Sequence, residues 1–389
     1  MRLLVVGMVT SSHTANYLNR IVDSDWEVEV FDAMFAGPPH PETPPLRVHA
    51  ARAAEDPGDL ACEVVPAPEF TTEFAVRARQ LSDWIDEYEP DLIHSLAFQQ
   101  AGCLTDVTRI LRGGLPCPWL ANSWGSCITM SPRFPGFLER TVSILRGADY
   151  FGTECHKEIA LARSLGMTAK PVGVWPNVAG LDAGLARSLT AEGPTSDRRS
   201  IMVKGALSGI QTGHVMVDAL DRAGDALAGY ELLTYQTDPR IEADFQRVAD
   251  RHDATWVRLS SFSANERTHE EMLAAHGRSR CSVALNMSDG MSSSFIEAAA
   301  CGSYPVHSDT GCGHEAITGG RGATYVSPTD PEEVGRAIRR ALTDDDLVDT
   351  AATSNYRVAA EFFDAARIRT RILDAYDRIA DDSFMEALR

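Results

Sequence analysis

Between Asn286 and Gly302 the chain reads Asn-Met-Ser-Asp-Gly-Met-Ser-Ser-Ser-Phe-Ile-Glu-Ala-Ala-Ala-Cys-Gly. A polar loop closing on Gly290 gives way to serines and then to small residues that read as a helix. Ser292, Ser293, Ser294 and Phe295 at such a helix N-terminus present free backbone N–H groups and a partial positive charge, a setting for a phosphate or diphosphate. Asp289 and Glu297 stand eight positions apart, one before the turn and one inside the helix. A carboxylate one or two turns past a phosphate cradle can accept both hydroxyls of a ribose. Plainer readings stand beside these: a serine run is often only an N-cap, and a glutamate in the first turns only a complement to the helix dipole. Lys204, followed by Gly205 at the end of a predicted strand, is the best single cation for a phosphate, with an ordinary surface charge as the other reading.

His13, His94, His307 and His314 each end or follow a predicted strand, where ligand crevices form in α/β sheets, and each also reads as a structural histidine. Cys155-His156 invites a nucleophile reading, but no orienting third partner is in view, and a buried small cysteine fits as well. Asp344-Asp345-Asp346 holds a D-x-D metal pattern, yet it follows Thr343 and precedes Leu347-Val348 as a capped helix start would. The eight cysteines show no CxxC pair, which argues against a disulfide scaffold or a structural zinc site and for reduced thiols in the cytoplasm. Neither a G-x-G-x-x-G after the first strand nor a P-loop is present, so nicotinamide and P-loop enzymes lose their main support.

The elements that must carry these residues alternate. Short apolar runs at Leu3–Val6, Glu27–Phe31, Asp91–Leu96, Trp119–Asn122, Tyr150–Thr153 and Val172–Trp175 read as strands. A second series follows at Ile201–Lys204, Glu231–Thr234, Thr255–Leu259, Cys281–Asn286, Tyr304–His307 and Ala323–Val326, with helical patterns between, the mark of parallel α/β construction. In Glu73–Tyr88, Phe74, Val76, Leu81, Trp84 and Ile85 recur near a 3.6 period. Residues 37–71, rich in proline and acid, read as a long surface excursion, and Asn177 to Ser200 as a linker. Val358–Ile379 has helical spacing and no strand after it, so it must pack on something already built.

At 389 residues the chain is long enough for two ordinary domains. With 55 Asp and Glu against 36 Lys and Arg its formal charge is −19, and no block of Lys and Arg stands out as a basic stripe, which argues against a nucleic-acid or anionic-membrane surface. No uncharged apolar stretch approaches the ~20 residues of a membrane helix, and the apolar N-terminus is broken at Gly7 as a first strand would be.

The segment Glu297-Ala298-Ala299-Ala300-Cys301-Gly302-Ser303-Tyr304-Pro305-Val306, followed by Thr310-Gly311-Cys312-Gly313-His314-Glu315, resembles the E-x7-E region of the GT-B glycosyltransferases of family 4, retaining enzymes that use nucleotide sugars. Weaker similarity extends to Trp175-Pro176-Asn177-Val178-Ala179-Gly180-Leu181-Asp182 and Pro90-Asp91-Leu92-Ile93-His94. The resemblance implies an α/β GT-B fold: two Rossmann-like domains facing a central cleft, with a C-terminal helix returning to the N-terminal domain. Residues 1–190 plus about 366–389 would bind the acceptor, and 191–365 the nucleotide sugar.

Carried over residue by residue, the resemblance puts Asp289 beside the transferred sugar, the backbone of Ser292 to Phe295 and the loop at Gly290 on the diphosphate, Glu297 on the ribose, and Lys204-Gly205 on the diphosphate. Because open α/β sheets bind ligands at the carboxyl ends of their strands, Ser12, His94 and Trp124 would line the acceptor pocket, with a structural Trp in the core as the other reading of Trp124 and His13 the base to test if the reaction inverted. The implied chemistry is retaining transfer of a sugar to a small-molecule or glycan acceptor, with no cofactor, no metal, no nucleic acid and no stable membrane insertion. Three departures stand out. The first acidic position is Asp, Ala206 stands where an arginine is expected, and Trp124-Gly125 replaces a His-Gly. Lys204 must then carry the diphosphate charge alone, or Arg258 or Arg280 must help. A nucleotide-sugar epimerase of the same fold, or a non-catalytic nucleotide-sugar-binding relative, is the alternative.

Overall fold

The structure is a computed structural model, and it describes all residues except 35–36, 50–69, 177–178, 263–265 and 388–389. The chain forms two compact units, Met1–Ala179 with Ala366–Arg389, and Gly180–Ala365.

The first unit is built on β1 (Arg2–Gly7), β2 (Glu27–Asp32), β3 (Arg47–His49), β4 (Leu92–Leu96), β5 (Trp119–Asn122), β6 (Tyr150–Thr153) and β7 (Lys170–Val174). These strands lie side by side in the order β3-β2-β1-β4-β5-β6-β7, all parallel. The second unit holds β8 (Ser200–Lys204), β9 (Glu231–Tyr235), β10 (Thr255–Arg258), β11 (Ser279–Ala284), β12 (Tyr304–Ser308) and β13 (Thr324–Val326), in the order β10-β9-β8-β11-β12-β13 and again all parallel. Leu3, Leu4, Val5 and Val6 are fully buried, as are Ile201, Met202 and Val203, which is why these runs are continuously apolar rather than alternating. In each sheet the chain reverses its direction of travel next to the first strand, between β1 and β4 and between β8 and β11. Such a reversal opens a crevice beyond the carboxyl ends of the two strands.

The predicted strands and the two-sheet α/β class match this architecture. One strand was not expected. β3 lies inside the proline-rich stretch, pairs with β2 over three residues, and is held mainly by side chains. The Arg47 guanidinium sits 4.4 Å over the Trp84 ring and bonds Glu29 at 3.1 Å, while His49 stacks on Trp84 at 4.1 Å. Three residues are too few to show a period. Of that excursion, 50–69 lie outside the described residues and 70–71 open the helix Phe70–Tyr88; Asn177 and Val178 of the proline-asparagine motif also lie outside the described residues.

The stretch expected as a linker carries a helix, Ala183–Ser188, capped by Asp182, and Thr195 donates to Gly302 O at 2.9 Å within the second unit. The apolar tail divides between the units at a break near Asp364. Its last helix, Ala365–Ala387, gives Ile368, Ile372, Tyr376 and Ile379 to the core of the first unit.

Candidate functional site

At the reversal point of the second sheet, β8 ends on Lys204 and β11 runs into the loop that leads to the helix Ser293–Ala300. The two loops are tied together. Met287 N donates to Ile210 O at 2.7 Å, and Gln211 bridges to Asn286. Asn286 N donates to Ser308 Oγ at 2.7 Å and its Nδ2 to Asp289 at 2.8 Å, while the other Asp289 oxygen accepts from Gly290 N at 2.9 Å. The carboxylate is thus aimed by its own loop.

Ser292 occupies the N-cap position, but its side chain makes no capping bond and instead meets Ser294 Oγ at 2.9 Å. The reading of this run as an ordinary cap therefore fails. Phe295 differs from its expected role: its N–H already donates to Ser292 O at 3.1 Å, closing the first turn, and its ring is buried against His307 at 5.6 Å and Tyr325 at 6.0 Å. It anchors the cradle rather than offering a donor. Gly313 makes that packing feasible, since a Cβ there would fall 2.8 Å from the ring. Gly205 is likewise not a free donor, because its N–H bonds Tyr235 O at 2.9 Å while its carbonyl accepts from Asp238. A Cβ on Gly205 would approach Thr237 to 3.1 Å, so glycine lets the two loops close.

Burial lowers the Lys204 ammonium pKa, and the charges of Asp289 and Glu297 oppose that shift, which places all three within electrostatic reach. Burial pushes the Glu297 carboxyl up, but hydrogen bonds and charge from His269 and His276 outweigh it and bring the carboxyl to about 2. The Glu297 oxygens lie 3.2 Å from His269 Nε2 and 3.6 Å from His276 Nε2, the second long for a hydrogen bond but within ion-pair reach. Burial lowers the His307 imidazole against the pull of Asp289, and its buried Nε2 has no hydrogen-bond partner. Tyr235, buried at the end of β9, is held protonated by burial despite its bond to Ser294.

Neither helper arginine is at this place. Arg280 lies near the opposite end of β11, where it donates to Ala341 O, Ser196 O and Asp345 between 2.6 and 2.7 Å. Arg258 is paired with Glu242 at 3.1 Å. Asp344 caps the helix Asp345–Val358 through Leu347 N, so the D-x-D is a helix start. His314 is exposed, 6.2 Å from the Tyr325 ring.

In the first unit, Ser11 caps the helix Ser12–Ile21 by accepting from His13 N, and Ser12 and His13 are exposed. The His13 ring lies 6.2 Å from that of Trp124, which is 9% exposed and whose Nε1 has no hydrogen-bond partner. His94 is a correction. It is fully buried in β4, its Nδ1 lies 2.8 Å from the Tyr376 hydroxyl, and that hydroxyl is 3.0 Å from Tyr17. Burial drives its pKa down to about 3. Covered by the last helix, His94 cannot line a pocket for an acceptor.

Sequence reasoning missed His269 and His276. Their signal was present, since a spacing of seven puts both on one face of the helix His269–Gly277.

No protein-family model matches the chain, and no curated protein sequence does. Solved structures do. A sucrose-phosphate synthase from Thermosynechococcus elongatus is similar at a TM-score of 0.73 and 17% identity, covering 98% of this chain and 100% of that one. Anabaena Alr3699/HepE, in complex with UDP and glucose, gives 0.71 and 13% over 97% of this chain and 100% of that one. A UDP-forming trehalose-phosphate synthase from Burkholderia xenovorans gives 0.67 and 14% over 97% of this chain and 99% of that one. These likenesses establish the fold, a GT-B pair of Rossmann-like units.

Proposed function

We propose that this chain is a retaining, metal-independent glycosyltransferase of the family 4 kind that takes its donor as a nucleotide sugar and holds it in the second unit. One observation carries the reading: Lys204, Asp289, Glu297 and the N-terminus of the helix Ser293–Ala300 converge where the second sheet reverses. Solved relatives of the same fold hold UDP-glucose, or UDP with glucose, which makes a hexose the first sugar to test. No helix among the described residues is long and apolar enough to cross a membrane, and the charge of −19 favours a neutral or cationic small acceptor over an anionic one.

The proposed chemistry asks little covalent work of the protein. The bond from the anomeric carbon to the diphosphate oxygen breaks, the acceptor hydroxyl forms its bond on the same face, and its proton passes to the departing phosphate oxygen. Lys204 and the helix dipole stabilise the negative charge that grows on that oxygen, and Glu297 holds the ribose. Asp289 faces the sugar. A fixed ammonium and helix dipole can do the work a divalent cation does elsewhere, so turnover is expected to persist in excess EDTA.

Calorimetric titration with UDP, GDP and ADP, followed by incubation of the tightest partner's glucose conjugate with a panel of hydroxyl acceptors, tests the reading. Binding followed by a glycoside whose NMR coupling constants keep the donor's anomeric configuration is the expected result. An inverted product returns attention to His13, and product formed from the donor alone would instead indicate an epimerase.

A further inference from the structure

The Glu297 carboxylate has two sides. On the buried side stands His276, 1% exposed, with its Nε2 3.6 Å from one carboxylate oxygen. Its Nδ1 lies 2.8 Å from Ser282 Oγ, which is itself 2.8 Å from Ser303 Oγ, and the Tyr235 ring packs edge-on to the imidazole at 6.2 Å. A hydrogen-bonded chain thus runs from Ser303 through Ser282 to His276, all three buried, and the far imidazole nitrogen of His276 stands within ion-pair reach of Glu297. On the other side His269, whose side chain is 48% exposed, faces the second oxygen at 3.2 Å. Both imidazoles come from one helix.

We infer that His276 is a positioning residue that fixes Glu297 for a ribose diol, and that His269 is a stand-in for that diol which the incoming nucleotide displaces. The inference rests on the nucleotide-sugar reading above and adds two residues to it. A diol brings two O–H donors and needs an oxygen from each side of the carboxylate. A ligand arrives from solvent, so it meets the oxygen that the exposed imidazole covers. The buried imidazole cannot leave, because its ring is packed and its far nitrogen is engaged; it therefore sets the direction of the carboxylate while hydroxyls replace the imidazole on the open side. The two histidines consequently act with opposite sign on the same equilibrium.

The test is calorimetry with whichever of UDP, GDP and ADP the native protein binds most tightly. His269→Ala removes a competitor, and affinity should rise by roughly threefold; His276→Ala frees the carboxylate to turn, and affinity should fall by about tenfold. His276→Gln keeps an N–H donor near the position of Nε2 and should restore affinity to within about threefold of native, which a purely structural role would not require. Should His276→Ala fail to fold, His276→Gln and the exposed His269→Ala still decide the matter, since weaker or unchanged binding in His269→Ala or a tenfold loss in His276→Gln overturns the inference. Glu297→Ala separates the two levels of the argument. Binding lost in Glu297→Ala but unmoved in both alanine variants of the histidines overturns the inference alone. No binding of any of the three nucleotides by the native protein removes the nucleotide reading and the inference together.

Discussion

Over six strands the two sheets share one order and one reversal point, yet the residues at the two points have opposite fates. At the ends of β8 and β11 the chain keeps its ionisable groups half-open: Lys204 and Asp289 are partly exposed and Glu297 is gripped by histidines at its rim. On β4, the counterpart of β11, the histidine that the sequence offers is sealed beneath Tyr376 and stays neutral. Topology opens a crevice in both places, but loops and the covering helices decide whether a charged group there meets solvent or core. In the second unit a serine-rich turn replaces a side-chain cap and leaves positive potential at the helix start. In the first unit Trp124 is drawn into the core, with the exposed His13 ring 6.2 Å from it.

The sharpest way to break this contrast is Lys204→Ala. Removing one fixed stabiliser of a developing charge costs on the order of 10²- to 10³-fold, so kcat for sugar transfer should fall by about that factor with the fold intact by circular dichroism. A loss under threefold would mean that the second crevice does not work through charge. His94 probes the other side. Its folded pKa of about 3 lies below the ordinary 6.5, so between those values the unfolded chain takes up a proton that the native state refuses. Stability that is present above pH 6.5 is therefore lost on acidification at about 1.4 kcal/mol per pH unit. Urea titrations of native protein and His94→Asn from pH 7 to pH 5 should show the difference between them shrinking at about that slope, whereas a constant difference would place His94 in contact with water.

Glu297→Ala should weaken nucleotide binding by about tenfold or more through the loss of two charge-assisted hydrogen bonds, read by calorimetry. Trp124→Ala is expected to have the smallest effect, raising the acceptor KM by a few-fold while the donor Kd stays put. Donor affinity that fell with unchanged acceptor kinetics would reverse the division of labour between the units.

Much of this was legible residue by residue. β5 and β6 were predicted at their observed bounds, because each is a short apolar run buried on both faces. The turn from Asn286 into the serine helix was equally plain, since loop and helix start are local features. What escaped depends on distant partners. His269 reaches Glu297 across 28 positions and His94 is covered by Tyr376 across 282, and no local window carries either fact. Arg280 was a reasonable helper on charge alone, but its place near the start of β11 puts it at the wrong end of the strand.

The return of the last helix to the first unit has a consequence for how the polypeptide is made. Residues 180–365 form a unit that is contiguous in the chain, whereas the first unit is discontinuous and waits for Ile368, Ile372, Tyr376 and Ile379. Emerging from a ribosome at about 5–20 residues per second, the chain completes its second half while the first still lacks its lid over Tyr17 and His94. The core of the first unit, begun by Leu3–Val6, is therefore completed only by residues made after the whole of the second unit.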